Sequence, residues 1–127
     1  MKEASTDIEK FRYFVYSILK ELPVGKITTY GDLAKIVAGV QYSRLVGRFM
    51  RENRHPDIIP CYKVVKSDGT LGGYGLGLEK KIELLTKKDG IQVRNGKIVN
   101  FKKVRISLEE LQKILQKIKD KKNDLSY

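Results

Sequence analysis

The sequence predicts a mainly α fold with a small β component, organised around a helix-turn-helix and followed by a C-terminal β-hairpin and helix. Three observations predict it. Apolar residues recur at spacings of three and four in Ile8, Phe11, Val15, Ile18 and Leu22, the period of an amphipathic helix. Two short helical patterns then meet at a turn containing Ala38-Gly39, and further on Asn95-Gly96 sits between Ile91-Gln92-Val93 and Lys97-Ile98-Val99, a strong hairpin signal. A chain of 127 residues suffices for one compact domain. Residues 1–90 are expected to carry the functional site, with 91–127 a basic hairpin-helix extension.

The elements follow in order. Asp7 is the expected N-cap of the first helix, and Pro23 with Gly25 ends it. Lys26-Ile27-Thr28-Thr29 reads as a short extended approach to a helix over Thr29 to Val37, which Gly39 closes in a left-handed conformation. Ser43 is the expected cap of a second short helix, Arg44 to Arg51, and Arg44, Arg48, Arg51 and Arg54 fall on or just beyond it. Gly47 costs that helix about 1 kcal/mol relative to alanine, so close approach of another backbone or of a ligand is expected there. Two prolines, Pro56 and Pro60, fix the connector that leads to Cys61, and Val64-Val65 looks like a buried strand stub. Ser67-Asp68-Gly69 is a turn, and Leu71 to Gly77 is a glycine-rich loop that lets backbone amides approach a flat ligand. Its spacing fits neither a phosphate loop nor a dinucleotide fingerprint. The helical pattern from Leu78 to Lys88 stops at Gly90. Ser107 and Glu110 form a capping box for the last helix, which Leu108, Leu111, Leu115 and Ile118 dock, and only the last few residues read as disordered.

Composition narrows the function. Twenty-six Lys and Arg against 15 Asp and Glu leave a net charge of +11, which favours a polyanion, nucleic acid first. The lysines of the last helix, Lys113, Lys117, Lys119, Lys121 and Lys122, extend that charge and more often form a solvated face. One cysteine and one histidine, His55, can make neither an intramolecular disulfide nor a usual Cys/His zinc site, so no metal or cofactor is expected. With no apolar signal core and no run near the roughly 18 residues of a membrane span, a cytoplasmic protein is expected.

The order of short motifs adds a resemblance. Pro23-Val24-Gly25-Lys26-Ile27-Thr28-Thr29-Tyr30-Gly31, then Arg44-x-Val46-Gly47, Asn53, Ile59-Pro60-Cys61-Tyr62-Lys63-Val64-Val65 and Gly72-x-Tyr74-x-x-Gly77-Leu78 are similar to the active-site domain of O6-alkylguanine-DNA alkyltransferases. The resemblance covers about residues 8 to 90. It implies a winged-helix-like domain, monomeric, that binds double-stranded DNA carrying O6-alkylguanine, rotates the damaged base into a pocket and transfers its alkyl group irreversibly to Cys61. Position by position it implies that Arg44 fills the vacated stack and Tyr30 crowds the target's phosphate, with Gly47, Arg48 and Arg51 on the DNA-binding helix. Asn53 orders the segment before the cysteine, and Met50 packs the base. Tyr74 donates to the guanine ring, amides near Tyr74 and Gly75 face O6, and the carbonyls of Cys61 and Val64 accept from the exocyclic amine.

Departures from the pattern bear on chemistry. Tyr62 stands where the family's typical Pro-Cys-His-Arg-Val places the histidine that relays the thiol proton, and a phenol with a pKa near 10 cannot serve as a resting base. Tyr62 is still expected to act at the catalytic centre by positioning water, with Asp89 its acidic neighbour and Arg54 or Lys63 supplying positive charge to the thiolate. Asn53-Arg54 replaces the usual Asn-Pro, and the N-terminal domain carried by many members has no counterpart in the sequence. The alternatives are a non-enzymatic alkyl-lesion sensor, a plain helix-turn-helix regulator, and an inert buried cysteine.

Overall fold

The computed structural model describes residues 2–124. The expected disorder of the chain's last residues falls largely outside them. Helix α1 (Lys2–Glu21) buries Phe11, Phe14, Val15, Ile18 and Leu19 and stops before Pro23. It begins earlier than expected: Asp7 lies inside it, because residues 2–6 contain no proline or glycine to halt propagation. Ile8 lies at the exposed edge of the stripe.

Strand β1 (Thr28–Thr29) pairs in parallel with β2 (Val64–Val65), Thr28 opposite Val64 and Thr29 opposite Val65. A parallel pair needs a crossover, and here the crossover carries the helix-turn-helix. Thr29 ends the strand and caps α2 (Tyr30–Val37) at once, its Oγ1 accepting from the Asp32 amide at 3.0 Å. Gly39 leaves α2 at φ 154°, ψ 146°, a glycine-only extended conformation in place of the expected left-handed helical one. Residues 40–42 form a 3-10 turn that runs straight into α3 (Ser43–Glu52). Ser43 is therefore the first residue of α3 and not its side-chain cap; its hydroxyl donates to the Val40 carbonyl at 2.6 Å.

After a 3-10 turn at Cys61–Lys63 and β2, α4 (Leu78–Asp89) ends at Gly90 in the left-handed conformation. The hairpin pairs β3 (Val93–Arg94) with β4 (Lys97–Ile98), and Asn95 and Gly96 both take positive φ, as its two-residue turn requires. A single helical turn, α5 (Phe101–Val104), leads to α6 (Leu108–Asp124), where Ser107 Oγ accepts from the Glu110 amide at 3.1 Å. Leu111, Leu115 and Ile118 dock α6 while Leu108, expected in the stripe, is exposed on the first turn. No described helix is long and apolar enough to cross a membrane.

Two apolar clusters hold the molecule. One gathers α1, α2, α3 and α6 around Val15, Ile18, Leu33, Phe49 and Leu111; the other lies under the sheet and α4 and contains Ile27, Tyr62, Val65, Leu85, Ile91 and Ile98. Residues beyond 90 enter both. Ile27 exchanges backbone hydrogen bonds with Val104 and Ile106, and Arg105 grips the buried Asp32 carboxylate with two bonds of 2.9 Å.

Candidate active site

The 3-10 turn at Cys61–Lys63 sends successive side chains to different places: Cys61 joins the first cluster and Tyr62 the second. Cys61, 7% exposed, is a wall of a cavity of about 550 Å³ that also involves Tyr30, Arg44, Gly47, Met50, Arg51, Tyr74 and Gly75. Eight residues singled out from the sequence thus converge on one space.

Four others, Arg48, Val64, Tyr62 and Asn53, stand outside it. Arg48 is exposed outside the cavity, paired with Glu52 at 3.2 Å. Val64 is fully buried behind the wall, its carbonyl receiving the Lys81 ammonium at 2.8 Å. Tyr62 does not line the cavity either, because its hydroxyl donates to Asp89 Oδ2 at 2.6 Å. Burial and that hydrogen bond push the phenol well above its ordinary pKa, so it holds its proton. Asp89 also accepts from Lys63 Nζ at 3.0 Å and the Gly25 amide at 2.8 Å, an anion satisfied by three donors.

Asn53 acts on the cysteine from outside the cavity. Its Nδ2 donates to the Ile59 carbonyl and its Oδ1 accepts from the His55 amide, both at 2.9 Å, so one side chain spans the connector that ends at Cys61. Burial raises the thiol's pKa above its ordinary value, and a hydrogen bond from Asn53, a backbone hydrogen bond and the charge of Lys81 oppose that rise. The cation whose charge acts on the thiol is Lys81, in place of the expected Arg54 or Lys63; Lys63 is committed to Asp89 and the Pro23 carbonyl.

Lys81 is the functional residue that the sequence reading missed. Fully buried on α4, its ammonium donates to the carbonyls of Val64, Leu71 and Gly73 at 2.8, 2.5 and 3.2 Å, using all three protons to tie β2 to the glycine-rich loop. Desolvation lowers its pKa to about 8. A signal was present: Lys81 and Asp89 fall four residues either side of Leu85, on the buried stripe of α4.

Two features suit the cavity to a planar polar guest. The Tyr74 hydroxyl is buried with no hydrogen-bond partner among the described residues, a donor held out of water and unused. Gly72, at φ 70°, lets the loop close on Tyr30, whose hydroxyl lies 3.1 Å from where a Cβ would be. At Gly47 a Cβ would meet Arg51 and Tyr30 at 3.6 and 4.0 Å, ordinary contacts, so the fold itself does not require glycine there. The bare helix surface leaves room for an outside surface to approach.

A helix-turn-helix whose second helix walls a cysteine-bearing cavity, with arginines lining it, defines the class. Residues 10–90 match the family described as "6-O-methylguanine DNA methyltransferase, DNA binding domain", and the chain belongs to that family. It is 39% identical over 136 residues to a bifunctional methyltransferase/endonuclease of Thermoplasma volcanium, covering 96% of this chain and 42% of the relative. A bifunctional methyltransferase/endonuclease of Picrophilus torridus is 47% identical over 85 residues, 67% of this chain and 28% of the relative. The chain thus spans less than half the length of either relative. Among solved structures, S. pombe Atl1 in complex with damaged DNA containing O6-carboxymethylguanine superposes with a TM-score of 0.69 at 25% identity, over 78% of this chain and 96% of that one. The mainly α, helix-turn-helix architecture with its C-terminal hairpin and helix is the one expected.

Proposed function

We propose that the chain repairs DNA directly, by single-turnover transfer of an alkyl group from O6 of guanine to Cys61. The observation that carries this reading is the cavity itself: the chain's one cysteine and Tyr74 line a space large enough for a purine, beside a helix that carries Arg44 and Arg51. In the reaction the Cys61 thiolate attacks the alkyl carbon, a C–S bond forms, and the C–O6 bond breaks with its electron pair leaving on guanine. Tyr74 donates a hydrogen bond to the ring as that charge develops, and the thiol proton goes to water. Backbone amides of the 74–75 segment read O6. Because a stacked base is out of reach, the duplex must release the nucleotide, with Arg44 taking its place in the stack and Tyr30 pressing on the adjacent phosphate. The protein acts on double-stranded DNA as a cytoplasmic monomer and needs no cofactor.

Intact mass after incubation with an O6-methylguanine duplex tests the reading. One added methyl located on Cys61 supports it. Tight lesion binding at unchanged mass supports instead a damage sensor, the second reading, which the structural likeness to Atl1 and the buried protonated thiol favour.

Arg44→Ala is expected to slow repair of duplex lesions about 100-fold, the scale set when one positioning contact is lost, and to leave reaction with free O6-benzylguanine nearly unchanged. Single-turnover rates on both substrates check this; equal losses would assign Arg44 to the pocket's shape. A second expectation concerns pH. Since burial raises the Cys61 pKa, the thiolate fraction and the rate should climb through pH 6 to 9, close to tenfold per unit below that pKa. Tyr62→His, able to pair with Asp89 and accept a proton near neutrality, should flatten the profile and speed the reaction at pH 7. A parent rate already independent of pH from 6 to 9 would contradict this account of activation.

A further inference from the structure

The tip of the β3–β4 hairpin pairs two like charges. Arg94 and Lys97 stand directly opposite each other, next to the Val93–Ile98 pair. Alternation along a strand puts Ile98, which is buried, on the face turned to the core and both cations on the outer, exposed face. Like charges opposite one another destabilise a hairpin, and among the described residues neither cation has an ion-pair partner. The acidic group that acts on Lys97 is Asp68, whose carboxylate is already engaged by the amide and hydroxyl of Thr70 at 3.0 and 2.6 Å.

The hairpin is welded to the cavity's rim. Leu71 donates to the Gly96 carbonyl at 3.1 Å, Ile98 donates to the Gly69 carbonyl at 2.9 Å, and Thr70 pairs with Lys97 in an antiparallel bridge. The same turn is closed by Lys66 donating to the Thr70 carbonyl at 2.9 Å, and Lys66 lines the cavity. At the start of α2 a Cβ on Gly31 would lie 3.2 Å from Ser67 Oγ, so the turn abuts the helix-turn-helix. Lys66 at the cavity is thus joined through Thr70 to the strand that carries Lys97, with Arg94 opposite, while Arg44 and Arg51 line the cavity from α3.

We propose that Arg94 and Lys97, with Lys66, form a second phosphate-contacting ridge for duplex DNA, which holds the duplex from the side of the cavity away from α3. Phosphates supply the counter-charge that the hairpin lacks, and its two cations, Arg94 and Lys97, lie beyond residues 10–90, the part that the family match covers. The inference rests on the alkyl-transfer reading for where the duplex lies.

The test compares the full chain with R94Q/K97Q in binding to an undamaged duplex between 50 and 200 mM salt. Loss of two phosphate contacts should lower the slope of log K against log salt by about 1.8. The double variant should melt no lower than the parent, since a repulsive pair has been removed. K117Q/K121Q, which removes the same charge from the exposed face of α6, should change the slope by less than about 0.5. An unchanged slope in R94Q/K97Q, or an equal change from K117Q/K121Q, overturns the ridge. The chemistry is read separately from the mass of Cys61: a parent that gains no methyl but shows the slope difference keeps the ridge and loses the transfer reading.

Discussion

Replacing Cys61 with alanine is expected to abolish alkyl transfer while leaving folding and lesion binding nearly intact. Cys61 is the chain's one thiol, and no other group in the cavity wall is a comparable nucleophile toward an alkyl carbon. Its contribution to packing is that of a small apolar side chain, so truncation should cost about 1 kcal/mol. Binding should persist because Tyr30, Met50, Tyr74 and the glycine-rich loop are untouched. Intact mass and a duplex titration on the same sample separate the two effects. Continued removal of methyl groups from DNA by the alanine variant would place the nucleophile elsewhere.

Lys81→Met should have the largest effect on stability. Methionine fills much the same volume but leaves the carbonyls of Val64, Leu71 and Gly73 without their donor, deep in the protein. Removing a buried cation that satisfies several acceptors costs roughly 3 kcal/mol, or about 10 °C in melting temperature for a domain of this size. The pH dependence carries its own sign. The folded-state pKa of Lys81, about 8, lies below the roughly 10.4 of an unfolded lysine, so between those values the unfolded chain binds more protons. Stability contributed at this site therefore rises as pH climbs from about 8 to 10.4 and is flat below, where both states are charged. Denaturant unfolding at pH 7 and pH 10 should show the parent's margin over Lys81→Met widening; a margin that narrows would mean the ammonium form is favoured by the fold.

Signals confined to a few residues were legible in the sequence. Gly90 after α4, Asn95-Gly96 in the hairpin and Ser107 with Glu110 at the start of α6 each specify a backbone conformation through local chemistry. The residues around the cavity were legible as an ordered set of motifs, since the connector and loop that carry them are punctuated by proline and glycine. What escaped was set at long range. Lys81 looks like an ordinary surface lysine until β2 and the 71–73 segment fold over it, and Asp32 looks like a first-turn acid until Arg105 reaches it. Ser43 failed as a cap for a nearby reason: the 3-10 turn before it had already started the helix.

The grip of Arg105 on Asp32 spans 73 residues, and the backbone bonds between Ile27 and Ile106 close the same loop. During synthesis the chain emerges from its N-terminus at roughly 5–20 residues per second, so α2 and α3 leave the ribosome well before either clamp exists. Loop closure over so long a span costs only slightly more than over a shorter one, but it cannot begin until the closing residue is available. Until α6 brings Leu111 and Leu115 to it, the core shared by α1, α2 and α3 is incomplete. A chain that stopped just past Gly90 would carry the whole segment shared with the family without either clamp, the right residues on a surface that lacks its final bracing.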